Sequence, residues 1–261
     1  MFPQHARTAF LLAISLTFVA GCSQADNPDL PATLQALEKQ GLTVIEEFDV
    51  GGEGRGEVRA FAGVAGDQPV AVYLLSGGSA IVGTRVNANG EAVDEPMLLE
   101  LVAKPMGEQT WARLEAANWV LDGAADAPRV VYTFSDPNCP YCNRFWEAAR
   151  PWIDSGKVQL RHLLVGIIKE DSPTKVAAIL DADDPSAALL ENERRFAEGG
   201  VAPAQTVSAE VQAVLDANQM LMVSQGFRGT PGIIVRDESG MIQKYHGMPQ
   251  PDALADVLGP R

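Results

Sequence analysis

Apolar residues fall at helical spacing at Leu30, Leu34 and Leu37, after a polar lead from Asp26 to Asp29. Gly41 stands where such a helix would stop. The pattern then changes to four strand-like runs, 42–50, 57–65, 69–75 and 80–87. Gly51-Gly52, Gly66-Asp67 and Gly77-Gly78 separate them, and Asn89-Gly90 follows the last. One helix and a four-strand meander make a small α+β unit with thin apolar cover. Its sheet leaves edges that pairing with a second copy would protect.

Residues 97–121 read mostly as helix, through Leu98, Leu101, Val102, Trp111, Leu114 and Val120, with Pro105 and Gly107 as an interruption near the middle. This stretch is expected to connect two domains, and Asp122-Gly123 through Pro128 is a second boundary signal. Beyond it, strand and helix alternate. Strands are expected at 130–135 and 157–165, a helix from Pro140, a late hairpin of 233–236 and 241–245, and a closing helix over 250–258. More than sixty residues of helical composition lie between the second strand and the hairpin. Ser172-Pro173 supplies an N-cap and first-turn pair, Ser208 opens another helix and Gly226 closes it. A β-α-β half followed by a ββα half is the thioredoxin arrangement, here with a helical insertion at about 167–228.

The first residues stand apart from this plan. Arg7 and the apolar run 8–20 make a signal-like start too short for a spanning helix. The run ends in Val19-Ala20-Gly21-Cys22-Ser23, which resembles a bacterial lipobox with Cys22 as the lipidated residue. The alternative is ordinary cleavage after Ser23-Gln24-Ala25, which discards Cys22. Both place the protein outside the cytoplasm, in the periplasm. Ser23 in place of Asp directs a lipidated form to the outer membrane.

The 46% hydrophobic and 21% charged content is that of a soluble globular protein. A formal charge of −14 argues against nucleic acid, whose binding depends on Lys and Arg. Three cysteines exist, and without Cys22 the mature protein has only Cys139 and Cys142. A ring this small would stabilise by only roughly 2 kcal/mol, against about 4.7 for a hundred-residue loop. Such a pair is better suited to reaction than to stapling.

Asp136-Pro137-Asn138-Cys139-Pro140-Tyr141-Cys142 lies where a strand gives way to a helix. Pro140 suits the first helical position, which puts Cys139 at the N-cap, where unpaired N–H groups stabilise a thiolate. Cys142 would sit one turn inward, beside the first sulfur. Half a zinc site is the competing reading, but no second cysteine pair exists, and nothing local brings His162 and His246 together. No metal or other cofactor is expected. Thr230-Pro231 opens the late hairpin, and an ordinary trans turn proline is the alternative to a cis one.

Residues 111–258, with FSDPNCPYCNRFW, ARPWIDSGKVQLRHLLVGIIK and the late TPG, are similar to the periplasmic disulfide isomerase group DsbC/DsbG. Cys-Pro-Tyr-Cys between Asn138 and Asn143, and ANWVLDG over 117–123, place the resemblance on the DsbG side. With the signal segment read at 1–25, it implies a cystatin-like α+β dimerisation domain at 27–95. A helical linker at 96–124 and a thioredoxin-like catalytic domain at 125–261 would follow. It also implies Cys139 and Cys142 as the catalytic redox-active pair, with Pro140, Tyr141, Thr230 and a cis-Pro231 supporting the client chain. A homodimer kept reduced by the membrane carrier DsbD would act on misoxidised or sulfenylated exported proteins. Two features depart from the group: the lipobox, and Thr133, six residues before Cys139, where many thioredoxins carry a buried acid. A dithiol oxidase, a cytochrome-maturation reductant and a non-enzymatic holdase remain as alternatives.

Overall fold

The computed structural model describes residues 29–51, 58–237 and 239–260. The leader with Cys22, the start of the polar lead, and Glu57 lie outside the described residues. Helix α1 (Ala32–Glu38) precedes an antiparallel sheet in the order β1-β2-β3-β4, formed by β1 (Leu42–Phe48), β2 (Val58–Ala65), β3 (Gln68–Leu75) and β4 (Ala80–Gly83). Period-two alternation gives this sheet two apolar faces. Leu34 of α1 packs with Leu42, Phe61 and Val72 on one face. Ala60, Ala62, Ala71 and Tyr73 meet Val102 on the other. The fourth strand ends earlier than expected, because Arg85 turns inward. Its Nε lies 2.8 Å from Asp94 Oδ2, which also accepts from Tyr73 Oη at 2.8 Å.

The connector departs from its expected course in two ways. Helix α2 (Glu95–Leu98) passes through a π-helical turn (Leu99–Ala103) into α3 (Lys104–Ala116) without a break. Pro105, which has no N–H to donate, falls in the first turn of α3 directly after this wide turn. Gly107 is a contact point and not an interruption: a Cβ there would stand 3.1 Å from Ile242 Cγ1. The helix also ends sooner than read from the sequence. Val120–Asp122 form a strand, β5, instead of a last helical turn.

The second sheet has the order β5-β7-β6-β8-β9. Its remaining strands are β6 (Arg129–Ser135), β7 (Val158–Leu164), β8 (Gly232–Arg236) and β9 (Ile242–His246). Strands β6 and β7 run parallel, joined by α4 (Pro140–Ile153), and the other pairs are antiparallel. Central strand β6 divides the core by alternation. Val131 packs with Phe145, Ala149 and Trp152 of α4 and with Val257 of α8 (Leu254–Leu258). Tyr132 and Phe134 point the other way, to Trp111 and Leu114 of α3 and to Met222 and Phe227. Truncating Phe145 to alanine would remove a fully buried ring and cost about 3–5 kcal/mol.

The insertion contains α5 (Ser172–Leu180), α6 (Pro185–Arg194) and α7 (Ala209–Ser224). Ser208 caps α7 by accepting from Val211 N, and Gly226 follows with φ +84°. Ser172 is not the cap expected of it. Asp171 holds that position, and Ser172 is the first residue of α5, with its hydroxyl turned to other work. Among the described residues no helix is long and apolar enough to cross a membrane.

Candidate active site

Strand β6 delivers the chain to a short loop, Asp136-Pro137-Asn138, and α4 starts at Pro140. Asp136 is buried and folds the loop back on itself by accepting from Asn138 N at 2.8 Å. Its carboxylate also accepts from Ser172 Oγ at 2.8 Å, Ile167 N at 2.7 Å and Ile168 N at 3.0 Å. The other side of the loop is held by Asn138, which donates to Asp171 Oδ1 and Ser172 Oγ and accepts from Lys175 Nζ at 2.8 Å. The start of the insertion therefore anchors the residues just before Cys139.

Cys139 is the N-cap of α4, with extended backbone, and Pro140 lies in the first turn. The Cys139 sulfur accepts from Cys142 N at 3.2 Å. Both thiols are free and buried, at 2% and 5% exposure. The Cys139 thiol is lowered to about 7 by the hydrogen bond from Cys142, against the opposing effect of burial. The Thr230 hydroxyl and the N–H groups of Cys142 and Tyr141 add to the lowering. Burial pushes the Cys142 thiol well up, and the neighbouring Cys139 sulfur adds to this. One helix start thus separates the two thiols electrostatically: the outer sulfur ionises and the inner one keeps its proton.

Thr230-Pro231 is a cis peptide bond and lies against this pair, with Thr230 O 3.5 Å from the Cys139 sulfur. The buried Thr230 Oγ1 has no other hydrogen-bond partner, which leaves its O–H available to the Cys139 sulfur. Gly247 N donates to Pro231 O at 2.8 Å and fixes the proline to the end of β9. Gly232 follows the proline because a Cβ there would come within 2.7 Å of the Phe227 ring. Tyr141 is 54% exposed beside the pair, with the Arg144 guanidinium 5.4 Å from its ring centroid.

The fold therefore gathers Cys139, Pro140, Tyr141, Cys142, Thr230 and Pro231 in one place. His162 is buried on β7 against Ser135, and His246, at the end of β9, has its ring tilted against Phe227. Among the described residues no three His, Cys, Asp or Glu side chains form a group that could hold a metal ion. Thr133 is buried on β6, its hydroxyl without a partner. Sequence reading missed Asp136, Ser172 and Lys175 as loop anchors, and Asn192 and Glu193 altogether. Asp-Pro-Asn is a turn signal that could have marked Asp136. Nothing in the local pattern of α6 marks the other two.

Residues 123–259 match the family of the Thioredoxin-like domain. Fold and site together define a thioredoxin-like thiol–disulfide oxidoreductase. Thiol:disulfide interchange protein DsbG of Pseudomonas aeruginosa is 41% identical over 257 residues, covering 98% of each chain. DsbG of Escherichia coli is 40% identical over 232 residues, covering 88% of this chain and 92% of its own. A probable DsbC of Bordetella parapertussis is 32% identical over 111 residues, 42% of this chain and 36% of its own. The chain belongs to the DsbG family of thiol:disulfide interchange proteins.

Proposed function

We propose that Cys139 is the attacking thiolate and Cys142 the resolving thiol of a disulfide isomerase and reductase acting on exported proteins in the periplasm. The observation that carries this reading is the hydrogen bond from Cys142 N to the Cys139 sulfur at the start of α4. The Cys142 thiol's own hydrogen bond does most to lower the Cys139 thiol to about 7, the backbone N–H adds to it, and burial keeps Cys142 protonated beside it.

In the first step the Cys139 thiolate attacks one sulfur of a client disulfide. A mixed disulfide forms and the other client sulfur leaves as a thiolate. With a sulfenylated client the same attack expels the hydroxyl, which takes up a proton and leaves as water. A second client thiolate can then displace Cys139, which rearranges the client. Alternatively Cys142 loses its proton and attacks Cys139, which releases the reduced client and leaves a Cys139–Cys142 disulfide. The membrane dithiol carrier DsbD is the donor that would return this disulfide to thiols. Pro140, Tyr141, Thr230 and the cis-Pro231 would line the approach of the client backbone.

The protein is expected to work as a homodimer through residues 27–95, with 96–124 as linker and the thioredoxin-like domain beyond. Edge strand β4 supports this, since Ile81, Val82 and nearby Val86 are 55%, 45% and 55% exposed on it or just past it. The lipobox-like segment would tether the dimer to the outer membrane through Cys22, which lies outside the described residues. The redox state of the pair in growing cells tests the reading. Free thiols in most molecules are expected. A pair found mostly as the disulfide would mean a dithiol oxidase.

A further inference from the structure

Two adjacent residues of the insertion grip the redox loop from both ends. Asn192 Nδ2 donates to Pro137 O at 3.1 Å, two residues ahead of Cys139. One residue beyond Cys142, Asn143 Nδ2 donates to Glu193 O at 2.9 Å and to Glu193 Oε2 at 2.8 Å. Asn192 Nδ2 also reaches Glu193 Oε1 at 3.3 Å. Both oxygens of this carboxyl are therefore held by amides that bear on the loop. Asn143 links the two sites a second time, because its backbone N–H donates to Cys139 O at 3.2 Å.

Glu193 is 5% exposed, and no Lys or Arg among the described residues forms an ion pair with it. The nearby cations are engaged elsewhere. Arg150 of α4 pairs with the buried Asp122 of β5. Lys175 of α5 is held by Asn138 Oδ1 and Gly199 O. His162 of β7 is bonded through Nδ1 to Ser135 Oγ at 2.9 Å, while its Nε2 stands 3.9 Å from Asp122 Oδ2 with no hydrogen bond. Burial pushes the Glu193 carboxyl above the usual range and the Asp122 carboxylate adds to this, while its bonds to Asn143 and Asn192 and the nearness of His162 only partly oppose it. Asp136, the other buried acid at the loop, is occupied as the acceptor of four hydrogen bonds. Thr133 offers no ionisable group.

We propose that Glu193 is a positioning residue whose proton occupancy is linked to the redox state of Cys139 and Cys142, the neutral carboxyl accompanying the Cys139 thiolate and the carboxylate accompanying the disulfide. This rests on the reading of the two cysteines as a redox pair. When a dithiol donor reduces the pair, the Cys139–Cys142 bond breaks and the donor closes its own disulfide, passing on two electrons and two protons. One proton stays on Cys142. Cys139 keeps its share of the charge as thiolate, and Glu193, linked to Cys139 through Asn143, takes up part of the second proton. Linkage is reciprocal, so an ionised Glu193 in turn raises the Cys139 thiol.

The test follows the Glu193 side-chain carboxyl by carbon NMR, assigned through its own side-chain couplings, in the full-length reduced and oxidised protein across pH. Its midpoint should lie higher in the reduced protein than in the oxidised one, as a negative charge on Cys139 disfavours a second one on Glu193. The second arm measures the equilibrium of folded wild-type and Glu193→Gln protein with glutathione against pH. Wild type should carry a bend near the Glu193 midpoint that the variant lacks. Coincident midpoints in the two redox states, or parallel curves for the two proteins, would overturn the proposal while leaving the redox pair standing. A protein that forms no Cys139–Cys142 disulfide in glutathione would overturn both.

Discussion

The backbone N–H of Cys142 points at the Cys139 sulfur from 3.2 Å, so the helix that carries the second cysteine begins on the first. A charge on Cys139 meets the positive end of α4 and its unpaired donors. The same placement buries Cys142 where a second charge would be costly.

This asymmetry predicts a pH dependence with a definite sign. The folded Cys139 thiol lies at about 7, below its ordinary value of 9.0. A depressed acid contributes stability above its unfolded pKa and loses it as pH falls through the folded one. The reduced protein should therefore gain stability between pH 7 and 9, while the disulfide form should show no such gain. Denaturant unfolding of both forms across this range checks it, and equal slopes would contradict it.

Thr230 is the side chain best placed to adjust that thiolate. Its buried, unpartnered hydroxyl can donate to the sulfur. Thr230→Val keeps the β-branched shape and removes the donor. The thiolate absorbance of Cys139 should then titrate at higher pH, with the fold unchanged by circular dichroism. An unaltered curve would leave Thr230 with a backbone role alone.

Asp136 should matter to stability as much as to chemistry. Asp136→Ala strands four donors, those of Asn138 N, Ile167 N, Ile168 N and Ser172 Oγ. The expected loss is about 3 kcal/mol, since each buried orphan costs roughly 1–3 kcal/mol but water can reach some of them. Chemical denaturation measures it. A loss under about 1 kcal/mol would mean the loop finds other partners.

Where the chain can be cut is also set by the structure. A protein beginning at Lys104 retains Trp111 and Leu114 in the core, and β5 with Asp122 against Arg150. It should be monomeric in sedimentation, reduce simple disulfides and lack isomerase activity. A protein beginning at Ala125 loses all of these contacts and should melt far lower. Equal melting temperatures would show β5 and α3 to be dispensable.

The parts of the fold set by local rules were legible in the sequence. The apolar strand read at 130–135, the helix-starting Pro140 and the turn glycines located the second sheet's centre, the cysteine pair and the first sheet's meander. Other parts depend on partners distant in sequence. Gly107 reads as a breaker until Ile242 is brought against it. Val120 reads as the end of a helix until β7 pairs with it. Ser172 looks like a cap, yet its hydroxyl serves Asp136, 36 residues away. Asn192 and Glu193 sit 55 and 50 positions from the groups they hold, and no window of sequence joins them.

The most direct test of the division of labour between the two cysteines is trapping. Cys142→Ser and Cys139→Ser proteins, reduced and mixed with a client carrying a non-native disulfide, are quenched with acid and resolved by mass. The Cys142→Ser protein should accumulate a mixed disulfide mapped to Cys139, and the Cys139→Ser protein should capture almost nothing. Equal or greater capture through Cys142 would contradict the assignment.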